Sequence, residues 1–229
     1  MGRADERPEK PGLGRALIAA VRQFVDEILL FTLFGVGLVA LAFGFLLIVV
    51  GVPVLVIAAP AFCLPLGALM RLAIASSRDR VISWRMAGAE LGRLAGRKLA
   101  LATVQLLILG LGVANLALAP ALGGLVGIGS AAVAGYAVVA SSVYAGALWP
   151  IVCDPDHEGP VRNQLRLALA IMLLRPIQLF VLALMAGLAV AASAISLQLV
   201  IPAIVLPALV LLAVANYVTP VADSVRIRD

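Results

Sequence analysis

Three long stretches of this chain contain no charged residue, and this pattern constrains the fold more than any other feature. No Asp, Glu, Lys or Arg occurs in residues 28–70, 99–153 or 176–222. A membrane-spanning helix needs about 20 mostly apolar residues, and each stretch is at least about twice that long. Each stretch therefore accommodates two membrane crossings, which return the chain to the side that it left.

Two crossings in each stretch place all four charged segments on one side of a membrane. These segments hold all 17 Lys and Arg residues, and they span 1–27, 71–98, 154–175 and 223–229. Because excess Lys and Arg marks the cytoplasmic side, we expect both termini in the cytoplasm and the protein in the cytoplasmic (plasma) membrane.

The composition agrees with a membrane location. The chain is 63% hydrophobic and 13% charged, with a mean hydropathy of +1.13. Soluble proteins are about 45–50% apolar and about 25% charged. An apolar excess of this size is typical of a chain whose outer surface faces lipid.

The predicted fold is an all-α membrane protein with six transmembrane helices arranged as three hairpins. A cytoplasmic amphipathic helix is expected before each hairpin, beginning near Leu13, Trp84 and Val161. Residues 1–12 are expected to form a disordered tail, 13–222 a single transmembrane domain and 223–229 a second tail. The predicted spans are about 28–50, 53–75, 99–119, 122–149, 176–196 and 198–221.

The second and sixth predicted spans share a motif. Pro60 to Pro65 and Pro202 to Pro207 both read Pro-Ala-x-x-Leu-Pro, which favours an internal repeat. Proline kinks a helix, so these residues either shape the bundle or mark a solute pathway, as paired broken helices do in transporters. Both interpretations stay open at this point.

Few polar residues fall inside the predicted spans. The main ones are Gln105, Asn115, Tyr136, Tyr144 and Asn216. We expect interhelical hydrogen bonds from such residues, and Gln105, Asn115 and Asn216 could instead line a solute pathway with the prolines. In the fourth span, small residues recur at a spacing that favours close helix packing, and this span is predicted to be the central, most buried one. They are Gly123, Gly127, Ala131, Gly135 and Ser142.

The sequence offers little catalytic or metal-binding chemistry. No Asp, Glu, Lys, Arg or His lies in the three uncharged stretches that supply the predicted spans, which argues against a proton-coupled carrier or an intramembrane aspartyl protease. The loop from Cys153 to Glu158 holds a thiol, the only histidine and three carboxylates, but six consecutive residues surround a metal poorly. We interpret this loop as a solvated turn, and Cys63 and Cys153 as packing residues. No enzyme activity, metal or cofactor is predicted.

Two parts of the chain resemble a known family. The first runs from Val52-Pro53 through Ala59-Pro60 to Met70-Arg71. The second combines Tyr144 to Pro150, Arg162 to Ala170 and Arg175-Pro176. Together they are similar to the YesL-like family of bacterial integral membrane proteins. The resemblance implies a six-helix membrane protein, sometimes associated with carbohydrate uptake systems, and it assigns no functional residue.

Two functional hypotheses follow from the sequence. The leading one is a non-enzymatic accessory or scaffold subunit of a transporter or other membrane complex, docked through Arg162, Arg166 and Arg175. The alternative is a transporter or channel for a neutral or amphiphilic solute along the proline-kinked second and sixth spans. In either case, segment 71–98 should bind anionic lipid headgroups, and no nucleic acid is expected.

Overall fold

The computed structural model describes residues 12–29, 31–32, 36, 59–78, 80, 84–195 and 200–226. The predicted tail at 1–12 and the predicted span at 28–50 lie largely outside these residues. The side chains of residues 190–195 and 200–204, including Pro202, also lie outside them. The predicted tail at 223–229 is described as far as residue 226, where it continues the last helix.

The described chain is all-helical, as the sequence predicts. The helices are α1 (Leu13–Asp26), α2 (Cys63–Ser77), α3 (Trp84–Gly92), α4 (Ala95–Leu122), α5 (Gly124–Cys153), α6 (Val161–Leu174), α7 (Pro176–Ile195) and α8 (Val200–Arg226). A short 3-10 turn, Pro155–His157, joins α5 to α6.

Four described helical segments are long and apolar enough to cross a membrane. A fifth crossing is added if the bent pair of α6 and α7 counts as one span. These apolar helices are those of a membrane-embedded protein. The four segments are Ala59–Ser77, Ala95–Leu122, Gly124–Cys153 and Val205–Val225.

A sharp bend separates α6 from α7. The two helices meet at 101°, and Arg175 between them leaves helical geometry at φ −137° and ψ 50°. The ring of Pro176 disfavours helix at the preceding residue, so the predicted end of this amphipathic helix before Pro176 is confirmed. As a result, α6 lies across the direction in which α7 runs.

The hairpin of α4 and α5 is built around glycine. Gly123 and Gly124 turn the chain with φ of 64° and 51°, a left-handed conformation that glycine adopts without strain. Beyond the turn, a Cβ atom on Gly127 would lie 2.5 Å from the carbonyl oxygen of Ala119. The two backbones therefore touch at a position that only glycine permits.

The prediction that the fourth span is the most buried is wrong. Only 11% of the apolar window of α5 is buried, against 56% for the windows of α2 and α8. The buried part of α5 is concentrated in its last turns, from Val143 to Cys153. Its small residues Gly127 and Ala134 serve the approach to α4 within the hairpin, so they do not place the helix at the centre.

The core lies around α2 and α8. Leu72, Ile74, Leu212, Tyr217 and Val218 are fully buried there. Helix α1 packs on this core through Ala16, Ala20 and Phe24. The bundle therefore has a closely packed centre, with the α4–α5 hairpin extending apolar side chains outwards.

Candidate functional site

An ion-pair network joins three segments that are distant in the sequence. Arg78, which follows α2, places Nη2 2.7 Å from Oδ2 of Asp154 and 3.3 Å from Oδ1 of Asp223, and it also pairs with Asp156. Arg80 Nη2 lies 2.7 Å from Oδ2 of Asp156. We call these residues, together with His157, the Arg78 cluster. Because its members touch, Arg78, Arg80, residues 154–157 and Asp223 lie on one side of the bundle, which we call the charged face.

His157 is buried in this cluster between two carboxylates. Its Nδ1 lies 3.0 Å from Oδ2 of Asp154, and its Nε2 lies 3.3 Å from Oδ1 of Asp223. Asp154 also accepts a hydrogen bond from the backbone N–H of Asp156 at 3.0 Å, which caps the 3-10 turn. These contacts fix the histidine ring and the turn together.

The electrostatics of Asp154 follow from these contacts. Burial by itself would raise the pKa of this carboxyl group. The hydrogen bonds from His157 and the Asp156 N–H, together with the charge of Arg78, outweigh burial and hold the pKa below its ordinary value. Asp154 is therefore a carboxylate that the folded chain keeps ionised.

The prediction of a solvated turn at 153–158 is wrong for part of this loop. Cys153, Asp154 and His157 are all buried, because arginines from another segment neutralise the carboxylates and so permit their burial. Within the residues that the structure describes, no group of three or more His, Cys, Asp or Glu side chains is arranged to hold a metal ion. Both cysteines are buried free thiols.

A second set of charges, which we call the Glu90 cluster, joins α3 to α4. Lys98 donates hydrogen bonds to Oε1 of Glu90 at 2.5 Å and to its carbonyl oxygen at 3.0 Å. Arg93 donates from Nε to Oε2 of Glu90 at 2.6 Å and from Nη2 to the Cys153 carbonyl at 3.0 Å. Its Nη1 lies 3.3 Å from Oε2 of Glu158.

Most cations of segment 71–98 are thus engaged inside the protein. Arg97 completes the set by donating to the Gly159 carbonyl at 2.9 Å and to Oε1 of Gln164 at 2.5 Å. The exposed Arg85 has no such contact among the described residues. Binding of lipid headgroups by this segment stays a prediction.

A cavity of about 630 Å³ lies between α2, α4, α5, α7 and α8. Its described wall is almost entirely aliphatic. It combines small residues, such as Ala145, Ala186 and Gly187, with larger ones, such as Leu182. The main polar feature is a pair: Trp149 donates from Nε1 to Oε1 of Gln105 at 2.9 Å. No charged side chain is among the described residues that line the cavity.

The predicted solute-pathway residues are only partly brought together. Gln105 and Pro207 both line the cavity. Pro60 and Pro65 are half-buried around the start of α2, and Asn115 is exposed on α4. Pro202 lies outside the described side chains.

Asn216 is instead part of an amide pair between α1 and α8. Its Nδ2 donates to Oε1 of Gln23 at 2.6 Å, and Gln23 Nε2 donates back to Asn216 Oδ1 at 3.3 Å. The hydrogen bond that the sequence predicts for Asn216 is therefore present, and its partner comes from the amphipathic helix α1.

The predicted docking arginines separate into two places. Arg162 and Arg166 are exposed on α6 and line a groove of about 430 Å³ together with Tyr144, Leu165 and Leu169. The Tyr144 hydroxyl donates to the Leu165 carbonyl at 3.1 Å and so ties α5 to α6. Arg175 is half-buried at the bend between α6 and α7 and does not line this groove.

No protein-family model, curated protein or solved structure matches this chain. The resemblance to the YesL-like family therefore stays a prediction.

Proposed function

We propose that this protein is a non-enzymatic membrane protein that binds and carries a neutral or amphiphilic solute in the cavity between α2, α4, α5, α7 and α8. The observation that carries the proposal is the cavity itself, with its apolar wall and its single Gln105–Trp149 pair. Ligand pockets in proteins typically measure about 300–1,000 Å³ and combine mostly apolar walls with a few polar groups.

The polar pair indicates which ligand the cavity favours. Gln105 uses Oε1 to accept from Trp149, and within the described residues its Nε2 group has no hydrogen-bond partner. An amide nitrogen is a donor, so it suits a hydroxyl or carbonyl oxygen on the ligand. A charged group would lose its hydration in this wall without a counter-ion. The ligand is therefore a neutral oxygen-bearing molecule with an apolar chain.

The membrane arrangement belongs to the same proposal. It consists of six spans in three hairpins, with the charged face and both termini in the cytoplasm of a bacterial cell. The four to five apolar helices and the confinement of all 17 Lys and Arg residues to four segments support it. Pro207 in the cavity wall removes one backbone hydrogen bond from α8, which supports a bending point along the solute path.

Trp149 offers a direct test, because it lines the cavity and the chain has only one other tryptophan, Trp84. In a Trp84→Phe background, purified protein would be titrated with dodecanol that carries a bromine atom, a quencher of indole fluorescence. We expect saturable quenching of Trp149. Leucine at Gly187, where a Cβ meets nothing within 4 Å, should fill the cavity and weaken binding about tenfold, the effect of losing about 1.4 kcal/mol.

The matched control is Gly110→Leu. Gly110 also has nothing within 4 Å of an added Cβ, but it lies on the exposed side of α4, outside the cavity. The control variant should bind the bromoalcohol as the parent does. Equal weakening in both leucine variants, or quenching that never saturates, would contradict the proposal.

The accessory-subunit hypothesis leads to a different result. It predicts that the protein leaves its native membrane in a complex of fixed stoichiometry, whether or not the cavity is filled by Gly187→Leu. Recovery of the protein alone in mild detergent would count against that hypothesis and would leave the cavity proposal standing.

A further inference from the structure

We infer that the groove between α5 and α6 binds one anionic phospholipid, whose phosphate pairs with Arg162 and Arg166. The acyl chain would pack against Tyr144, Leu165 and Leu169, which line the same groove. Neither the cavity ligand nor a partner subunit is needed for this site.

The groove carries positive charge. Arg162 and Arg166 lie one turn apart on α6, so their side chains are neighbours. Both are exposed, and neither has a carboxylate partner in the part of the chain that the structure describes. Glu158 lines a neighbouring depression together with Arg166, but its Oε2 lies 3.3 Å from Nη1 of Arg93. The groove therefore presents two uncompensated positive charges, unlike the paired arginines of the Arg78 and Glu90 clusters.

The start of α6 adds to this positive charge. Its N-cap residue, Pro160, makes no side-chain capping bond, so the first N–H groups of the helix point outwards without a side-chain acceptor. A helix N-terminus attracts phosphate, and Arg162 lies within this first turn.

The groove lies beside the bend between α6 and α7. Because α6 and α7 meet at 101°, α6 lies along the membrane surface when α7 crosses the bilayer. Leu169, Leu173 and Leu174 are exposed on α6, and Ile177 is exposed at the start of α7. A helix with exposed leucines beside arginines is suited to the boundary between headgroups and acyl chains.

The groove has a charged end and an apolar end. The Tyr144–Leu165 hydrogen bond joins its two helices, and Leu169 lies three residues beyond Arg166 along α6. This order matches a phospholipid, with the anionic group at one end and the chain at the other. A free phosphate ion would leave the apolar end unused.

The groove is separate from the cavity. At 100° per residue, Tyr144 lies on the side of α5 opposite to Ser142, Ala145 and Trp149, which face the cavity. The two sites can therefore be tested independently.

The test uses native mass spectrometry of the purified full chain with phosphatidylglycerol and phosphatidylcholine of identical acyl chains. We expect the wild type to retain phosphatidylglycerol in preference to phosphatidylcholine. The Arg162→Gln/Arg166→Gln variant should lose about tenfold or more of its affinity for phosphatidylglycerol, given the usual gain for each basic residue near an anionic lipid. Both side chains are exposed, so the fold should not change.

The matched control is Arg15→Gln/Arg22→Gln, which removes two exposed arginines of α1 and changes the net charge equally. This variant should keep its preference for phosphatidylglycerol. An equal loss in both variants would show a general charge effect and overturn the inference. Displacement of the lipid by inorganic phosphate at equal concentration would overturn it as well, because the ligand would then be the anion alone.

Discussion

The Nζ atom of Lys98 lies 2.5 Å from Oε1 of Glu90, and both residues are buried, with relative exposures of 0% and 3%. The pair joins the end of α3 to the first turn of α4 across Leu94, the one non-glycine residue with positive φ in the described chain. It also lies against α2, because a Cβ on Gly67 would be 3.5 Å from the Lys98 Nζ. Three helices therefore depend on one buried ion pair.

Replacing Lys98 by Met should destabilise the protein strongly. The change leaves the buried Glu90 with Arg93 as its remaining cationic partner, and breaking a buried pair costs about 3–5 kcal/mol. Adding Glu90→Gln should recover part of this loss, since no unpaired charge remains. Unfolding in detergent, followed by circular dichroism for the wild type, both single variants and the double variant, measures the coupling. Strictly additive effects would contradict the pair's role.

Asp154 should contribute stability that is lost in acid. Its pKa in the folded chain lies below the ordinary value of 3.8, so the folded state stabilises the ionised carboxylate more than the unfolded state does. The contribution is fully present above the unfolded pKa and disappears as the pH falls through the lower folded pKa. The stability difference between wild type and Asp154→Asn should be constant above about pH 5 and should shrink below about pH 4.

The control for this pH series is Asp26→Asn. Asp26 is exposed, and its contact with Arg22 is 4.0 Å long, so the substitution should change stability little at any pH. If wild type and Asp154→Asn converge already near neutral pH, the assignment to Asp154 is wrong.

Gly127 should tolerate no side chain. An alanine Cβ there would lie 2.5 Å from the Ala119 carbonyl oxygen, and a backbone atom cannot move aside as a flexible side chain can. We expect Gly127→Ala to lower the melting temperature, whereas Gly110→Ala, with nothing within 4 Å, should be neutral or slightly stabilising, because alanine favours helix by about 1 kcal/mol over glycine. Equal melting temperatures would mean that the hairpin is looser than described.

The Gln23–Asn216 pair should contribute modestly. Hydrogen bonds between membrane helices average about 0.6 kcal/mol and reach about 1.7 kcal/mol. A double-mutant cycle with Gln23→Leu and Asn216→Leu should give a coupling energy in this range, because two hydrogen bonds are exchanged. A coupling energy of zero would show that the amide pair does not hold α1 against α8, and that the apolar contacts of Ala16, Ala20 and Phe24 are the main attachment.

The sequence predicts the helical architecture well, because hydropathy and proline act locally. The apolar stretch 99–153 contains most of α4 and all of α5, and α6 ends just before Pro176, whose ring disfavours helix at the preceding residue. The small-residue stripe of the fourth span indicates less about its neighbours. A periodic pattern indicates that another backbone approaches closely, but not which one. Here that partner is the neighbouring helix of the same hairpin, α4, at Ala119.

The site could be predicted only in part. The sequence marks Gln105 and Pro207 as polar or kinked positions, but the cavity depends on how five helices fail to fill the space between them. The burial of His157 and Asp154 has a similar cause, since their partners are far away in the sequence. Arg78 lies 76 residues before Asp154, and Asp223 lies 66 residues after His157. Periodicity within one helix contains no information about such partners.

The Arg78 cluster has a consequence for the biogenesis of the protein. Arg78 is synthesised 145 residues before Asp223, and its contacts can form only when the segments bearing Asp154 and Asp223 emerge on the same side of the bilayer. If α7 or α8 alone fails to insert, Asp223 lies on the opposite side, and Arg78 and His157 each lose a carboxylate. The complete cluster therefore forms only in chains in which both of these helices have inserted, so its formation distinguishes such chains from misinserted ones.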